Sequence, residues 1–294
     1  MNLLLSPDQE LLRDTTRRFL EAEWPLAAVR ALGESGEWPK QVWRRGAELG
    51  WVSLLGPEQL GGGGLAGQGL LDLAIVAEEM GRLVSPAPLV PANIGVMAMA
   101  AAGSDHVDTV ERIMAGELVP AWCLAEPGDA WSGDDVSAEA VPDGSDLIVD
   151  GVKLPVEAAT YADLFIVVAR TGPGLTQVVV PADAPGVSVE PMRTVDLVRS
   201  FGIVRLDGVR LPRSAALGSL GGATAAVEQQ LLTAVALQCA ETVGAMQRVL
   251  DFTVEYAFDR VSFGRPLASY QALKHRFADL KTWLEASAAA ADGA

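Results

Sequence analysis

Apolar residues change their spacing twice along this chain. Up to about residue 118 they recur every three or four positions, the period of helices with one buried face. Ser6-Pro7-Asp8-Gln9 reads as a helix start, because Ser6 can cap, Pro7 suits the first helical position and Gln9 can close a capping box. That helix is expected to reach Glu23, where Trp24-Pro25 breaks it. Further helices are expected over 39–49, closed by Gly50, over 69–80, closed by Gly81, and over 92–102 and 107–115.

From Val119 the runs become short, β-rich and separated by Gly, Pro and Asp. Strands are expected over 121–124, 147–149, 164–168, 177–180, 187–191 and 202–211, the signature of an antiparallel barrel or sandwich. Past Gly221-Gly222 the helical period returns. Leu231, Val235, Cys239, Thr242, Met246, Val249 and Thr253 mark one face of a long helix, and Leu273, Phe277, Leu280 and Leu284 mark the next. The fold class is therefore α+β, with helices and strands segregated. The expected domains are an N-terminal helical domain, 1–118, an antiparallel β-barrel, 119–222, and a helical domain, 223–294. Two long helices with apolar faces call for a bundle, and the last domain holds only that pair.

Composition narrows the function classes. Half of the 294 residues are hydrophobic, enough for a packed core. No apolar run approaches the ~20 residues of a membrane helix, and the N-terminus lacks the basic region of a secretory signal. A net charge of −16 argues against nucleic acid and anionic membrane partners. Cys123 and Cys239 fit buried thiols in a reducing cytoplasm, and a disulfide is the alternative. With two histidines and no Cys/His cluster, a zinc site is not expected. No G-x-S-x-G elbow is present for a serine hydrolase.

The densest chemistry lies in Asp259-Arg260-Val261-Ser262-Phe263-Gly264-Arg265-Pro266-Leu267, followed by Gln271. Arg offers a forked cation for phosphate oxygens, Phe a flat surface, and Gln a donor and an acceptor. The segment resembles the R-x-x-F-G…Q stretch of acyl-CoA dehydrogenases. Other motifs follow that family's order: Gly50-Trp51 to Gly61-Gly62, Glu78-Glu79-Met80-Gly81, Ala125-Glu126-Pro127, Asp150-Gly151-Val152-Lys153, Ala162-Asp163 and Ala169-Arg170-Thr171. The resemblance covers nearly the whole chain, from an opening helix at Leu3 onward. It implies that Arg260, Phe263 and Gln271 reach across a subunit interface to the adenine and pyrophosphate of a neighbour's FAD. It also implies about two more helices in the last domain, which an early end, loss of those helices or a partner chain would each explain.

The flavin-ring side departs from the family's pattern. Ala125 stands where a Thr hydroxyl usually bonds the ring, Pro155 where an aromatic usually shields it, and Glu157 where a Thr or Ser usually bonds it. The usual G-S-D after the proline is blurred into Gly128-Asp129-Ala130-Trp131-Ser132-Gly133-Asp134-Asp135. The family's general base is a Glu late in the last domain or, in some members, at the position of Ala234; neither is present. Glu241 lies seven residues after Ala234, on the same helical face about 10 Å along the axis. It is the candidate base for removing the alpha proton. The alternative is a Glu paired with Arg248 or a partner's cation, or solvated.

Other features receive plainer readings. Gly62-x-Gly64-x-x-Gly67 spells a dinucleotide fingerprint but lacks a preceding strand, so a flexible glycine loop is expected. Arg199, Arg205 and Arg210 are expected to be exposed strand arginines, with contact to CoA phosphates as the alternative, and His275 an exposed helix residue. The resemblance implies FAD-dependent alpha,beta-dehydrogenation of an acyl-CoA thioester, with an electron-transfer acceptor. It also implies a homo- or hetero-oligomer with another acyl-CoA dehydrogenase-like chain, of the kind actinobacteria use for bulky side chains. The alternatives are a catalytically silent subunit completing a partner's FAD site, or a flavin oxidase or monooxygenase on the same scaffold.

Overall fold

The computed structural model describes residues 5–128 and 131–293. Leu3 of the expected opening helix, Asp129 and Ala130 of the blurred loop, and Ala294 lie outside the described residues. Helix α1 spans Pro7–Glu23 and opens as its sequence requires: the Ser6 side chain accepts from the Gln9 N–H, and the Gln9 amide oxygen accepts from the Ser6 N–H at 3.0 Å. After Trp24-Pro25 the chain forms α2, Leu26–Ser35, an element the apolar spacing does not announce. Helices α3 (Lys40–Glu48), α5 (Leu89–Ala101) and α6 (Val107–Met114) fall close to expectation.

Helix α4, Gly69–Leu83, runs through Gly81 instead of stopping there. Its left-handed closing residue is Val84, at φ 54°. A β-branched residue in that region is a genuine outlier and stores strain. The glycine loop ahead of α4 holds two short 3₁₀ turns, Glu58–Leu60 and Leu65–Gly67, and no strand precedes it among the described residues. The dinucleotide spelling therefore has no structural counterpart.

The strands are β1 (Pro120–Cys123), β2 (Glu139–Asp143), β3 (Asp146–Glu157), β4 (Leu164–Thr171), β5 (Gly174–Pro181), β6 (Val187–Pro191), β7 (Phe201–Pro212) and β8 (Ala216–Leu217). They form one sheet in the order β6-β7-β3-β2-β4-β5-β8, with β1 also paired to β4. The expected closed antiparallel barrel is not formed. β1 and β2 run parallel to β4, and β6 and β8 stand at opposite ends of the order. The reason lies in β4, whose residues Leu164 to Ala169 are all buried. Leu164 and Ile166 pack into the helical core, while Phe165, Val167 and Ala169 pack into the sheet's own core. Such a continuous apolar run belongs to a central strand covered on both faces.

Helix α7, Thr224–Asp259, follows the sheet. A two-stranded hairpin, β9 (Val261–Ser262) with β10 (Arg265–Pro266), leads to α8, Gln271–Asp292. The buried face of α7 is not the expected stripe. It carries Val227, Gln230, Thr233, Ala234, Leu237, Ala240, Val243 and Gly244, while Val235, Cys239, Met246 and Val249 are exposed. Small residues line the buried face because α7 meets α4 backbone to backbone. A Cβ on Gly81 would fall 1.9 Å from the Glu241 carbonyl oxygen, and one on Gly244 1.9 Å from that of Glu78. Of the cysteines, Cys123 is buried as expected and Cys239 is not. Among the described residues no helix is long and apolar enough to cross a membrane.

Candidate functional site

The cleft between the sheet and α7 is built by three chain segments. Glu157 ends β3, Arg199 precedes β7, and Glu241 lies midway along α7. The Arg199 guanidinium sits between both carboxylates, hydrogen-bonded to Glu241 and 3.8 Å from Glu157. Arg199 is held in place by its own loop: the Asp196 carboxylate accepts from the Val198 N–H at 2.8 Å and the Arg199 N–H at 3.1 Å. The turn after β3 is pinned to the same loop, because the Ala158 N–H donates to the Ser200 carbonyl at 2.9 Å. Ala158 is left-handed there, at φ 65°. Sequence reasoning placed Arg199 on an exposed strand; it lies in the cleft instead. Its partners stand 42 residues away in both directions, so no local signal marked it.

The electrostatics follow from burial. Loss of water raises the Glu157 carboxyl above its usual range; Glu241 and Asp196 add to this and Arg199 opposes it. Burial and the nearby Glu157 also raise the Tyr161 phenol. Tyr161 stacks on Trp38 with ring centroids 4.1 Å apart and planes at 6°, which ties the α2–α3 segment to the cleft rim. Outside the bridge lies a cavity of about 290 Å³, whose lining includes Val84, Asp196, Gln238 and Thr242 beside Arg199 and Glu241.

A second ion pair lies beneath. Lys153 of β3 and Glu126 are both buried, at 2.6 Å. Glu126 also accepts from the Ser137 hydroxyl and from the N–H groups of Ser137 and Ala138, while Lys153 donates to the Leu124 carbonyl at 3.2 Å. Burial alone would raise the Glu126 carboxyl, but Lys153 and these donors outweigh it and hold it low. The pair fixes the backbone on either side of Ala125, whose carbonyl accepts from the Leu154 N–H at 3.0 Å.

The ring side of the expected FAD site does not fit a flavin. Ala125 brings no hydroxyl, and its carbonyl already accepts one hydrogen bond, from the Leu154 N–H. Pro155 brings neither an aromatic face nor an N–H. Glu157 is turned to Arg199. The adenine-side candidates stand at an exposed corner of the chain. Arg260 caps α7, Phe263 sits at the hairpin tip and Gln271 opens α8. Phe263 is 96% exposed and left-handed, at φ 51°. The hairpin is braced by the Leu267 N–H to the Arg260 carbonyl at 2.8 Å, and by Arg265 stacked 3.9 Å over the Tyr270 ring. That leaves Arg260, Phe263 and Gln271 turned outward. Of the remaining candidates, Arg205 and Arg210 are exposed and paired with acids, and His275 is exposed.

Comparisons with known proteins fall on one family. The acyl-CoA dehydrogenase N-terminal, middle and C-terminal domain models match residues 6–117, 121–208 and 221–294. Acyl-CoA dehydrogenase IpdE2 of Mycobacterium tuberculosis is 32% identical over 96% of this chain and 74% of its own length. The probable acyl-CoA dehydrogenase YngJ of Bacillus subtilis is 27% identical over 95% of this chain and 76% of its own. Among solved structures, a glutaryl-coenzyme A dehydrogenase in its glutaryl-CoA complex superposes with a TM-score of 0.92 at 25% identity, covering 100% of this chain and 77% of that one.

Proposed function

The chain belongs to the acyl-CoA dehydrogenase family, and on that premise we propose that it is one subunit of an FAD-dependent enzyme that desaturates an acyl-CoA thioester between its alpha and beta carbons. Its own contribution is the 260–271 segment. Arg260 would clamp the pyrophosphate of an FAD held by a neighbouring subunit, Phe263 would lie against the adenine, and Gln271 would add a hydrogen bond. The observation that carries this reading is the outward presentation of all three residues on a braced hairpin. When bound, the flavin supplies the acceptor for the hydride leaving the beta carbon. A partner chain of the same family, acyl-CoA as substrate, a separate electron acceptor and a cytoplasmic setting belong to the same proposal.

Arg260→Ala should weaken FAD retention in the assembled enzyme by roughly 10- to 150-fold, since a hydrogen bond to a charged group contributes about 1.5–3 kcal/mol. Gln271→Ala should weaken it less, by about 1 kcal/mol. Equilibrium dialysis with FAD measures both. Unchanged affinity in the Arg260 variant would remove the segment's assigned role.

Glu241 is assigned to the cleft bridge instead of to proton abstraction. Its carboxylate is hydrogen-bonded to the Arg199 guanidinium and so is not free to meet an alpha proton. Flavin bleaching by acyl-CoA in the assembly should therefore survive Glu241→Gln. Complete loss of bleaching in stopped-flow, with FAD still bound, would return the role of base to Glu241.

A further inference from the structure

We infer that the cleft between the sheet and α7 is closed to a flavin ring by the Glu157–Arg199–Glu241 bridge, so that the chain holds only the adenine and pyrophosphate half of an FAD whose ring sits on another subunit. This rests on the proposed donation by Arg260 and specifies its partner: a subunit whose own cleft offers neutral donors and an aromatic face.

Four observations converge on the bridge. Arg199 spans the gap from the end of β3 to the middle of α7, and so occupies the space between sheet and helix. It cannot leave without stranding two half-buried carboxylates, whose loss of a partner is costly. Tyr161, whose phenol lies near Glu157, has one face stacked on Trp38. The polar groups that line the remaining cavity include Asp196, Gln238 and Thr242. Carboxylates there would repel an electron-rich reduced ring.

Riboflavin tests this directly, because it carries the ring without adenine or pyrophosphate. Titrated into the full chain, it should keep its fluorescence up to the limit of its solubility. Glu157→Thr with Arg199→Ser removes the bridge and restores a hydroxyl, and should produce saturable quenching. Saturable quenching by the unaltered chain, at one riboflavin per chain, would overturn the inference. So would a doubly substituted chain with native circular dichroism and no quenching. Should that variant fail to fold, native mass spectrometry of the assembly decides. One FAD for each pair of unlike chains is expected, and one FAD per chain contradicts it. Arg260 takes no part in riboflavin binding. If Arg260→Ala leaves FAD affinity unchanged, the donation reading therefore falls while the riboflavin result stands.

Discussion

Lys153→Met should destabilise the chain by about 3–5 kcal/mol, the cost of leaving a buried charge without its partner. Lys153 is fully buried and Glu126 nearly so. The ammonium is the only cation bonded to that carboxylate among the described residues. The effect has a pH signature. The Glu126 carboxyl is held below its unfolded value, so its contribution is present above the unfolded pKa and is lost as pH falls through the folded one. Without Lys153, burial should raise the carboxyl instead, and the sign reverses: the variant should gain stability, relative to the parent, on acidification. Adding Glu126→Gln should recover part of the loss. A neutral amide strands no charge, but its one oxygen replaces only one of the two carboxylate oxygens that accept separately from the Ser137 and Ala138 N–H groups. Denaturant midpoints across pH measure this. A Lys153→Met midpoint equal to the parent's would show that the pair is not a stabilising element.

Gly244→Val should cost about 3 kcal/mol or more, the upper end of overpacking in a tight core. Its Cβ would meet the Glu78 backbone carbonyl, which cannot rotate away as a side chain can. Relief requires α4 and α7 to part. The expected result is a lower denaturant midpoint. An unchanged midpoint would mean that the helices cross less closely than these contacts indicate.

The features legible in the sequence are those set by neighbours in the chain. Ser6 and Gln9 act within one helical turn, and Trp24-Pro25 stops α1 through proline's own geometry. The features misread are set by distant partners. Gly81 looks like a helix stop, yet its missing side chain serves contact with α7, 160 residues on. The apolar stripe on α7 suggests the buried face, while the buried face holds Thr233, Ala234 and Gly244, because close approach selects small residues, and Gln230, which is hydrogen-bonded to Gln177 of β5. Strand pairing is likewise non-local: short alternating runs announce strands, but nothing in them states that β1 and β2 would join β4 in parallel. In the candidate site, the outward segment at Arg260, Phe263 and Gln271 is contiguous and readable. The bridge joins Glu157, Arg199 and Glu241 across two gaps of 42 residues, and only the fold brings them together.

The central claim is that this chain grips an FAD belonging to another subunit. The most direct measurement is a structure of the FAD-loaded assembly, read for the distance from the Arg260 guanidinium to the nearest pyrophosphate oxygen. A hydrogen-bond distance of about 2.7–2.9 Å, to an FAD whose ring lies in a different chain, is the predicted result. An FAD ring lying between Glu157 and Glu241 of the same chain, with Arg260 in solvent, would contradict it.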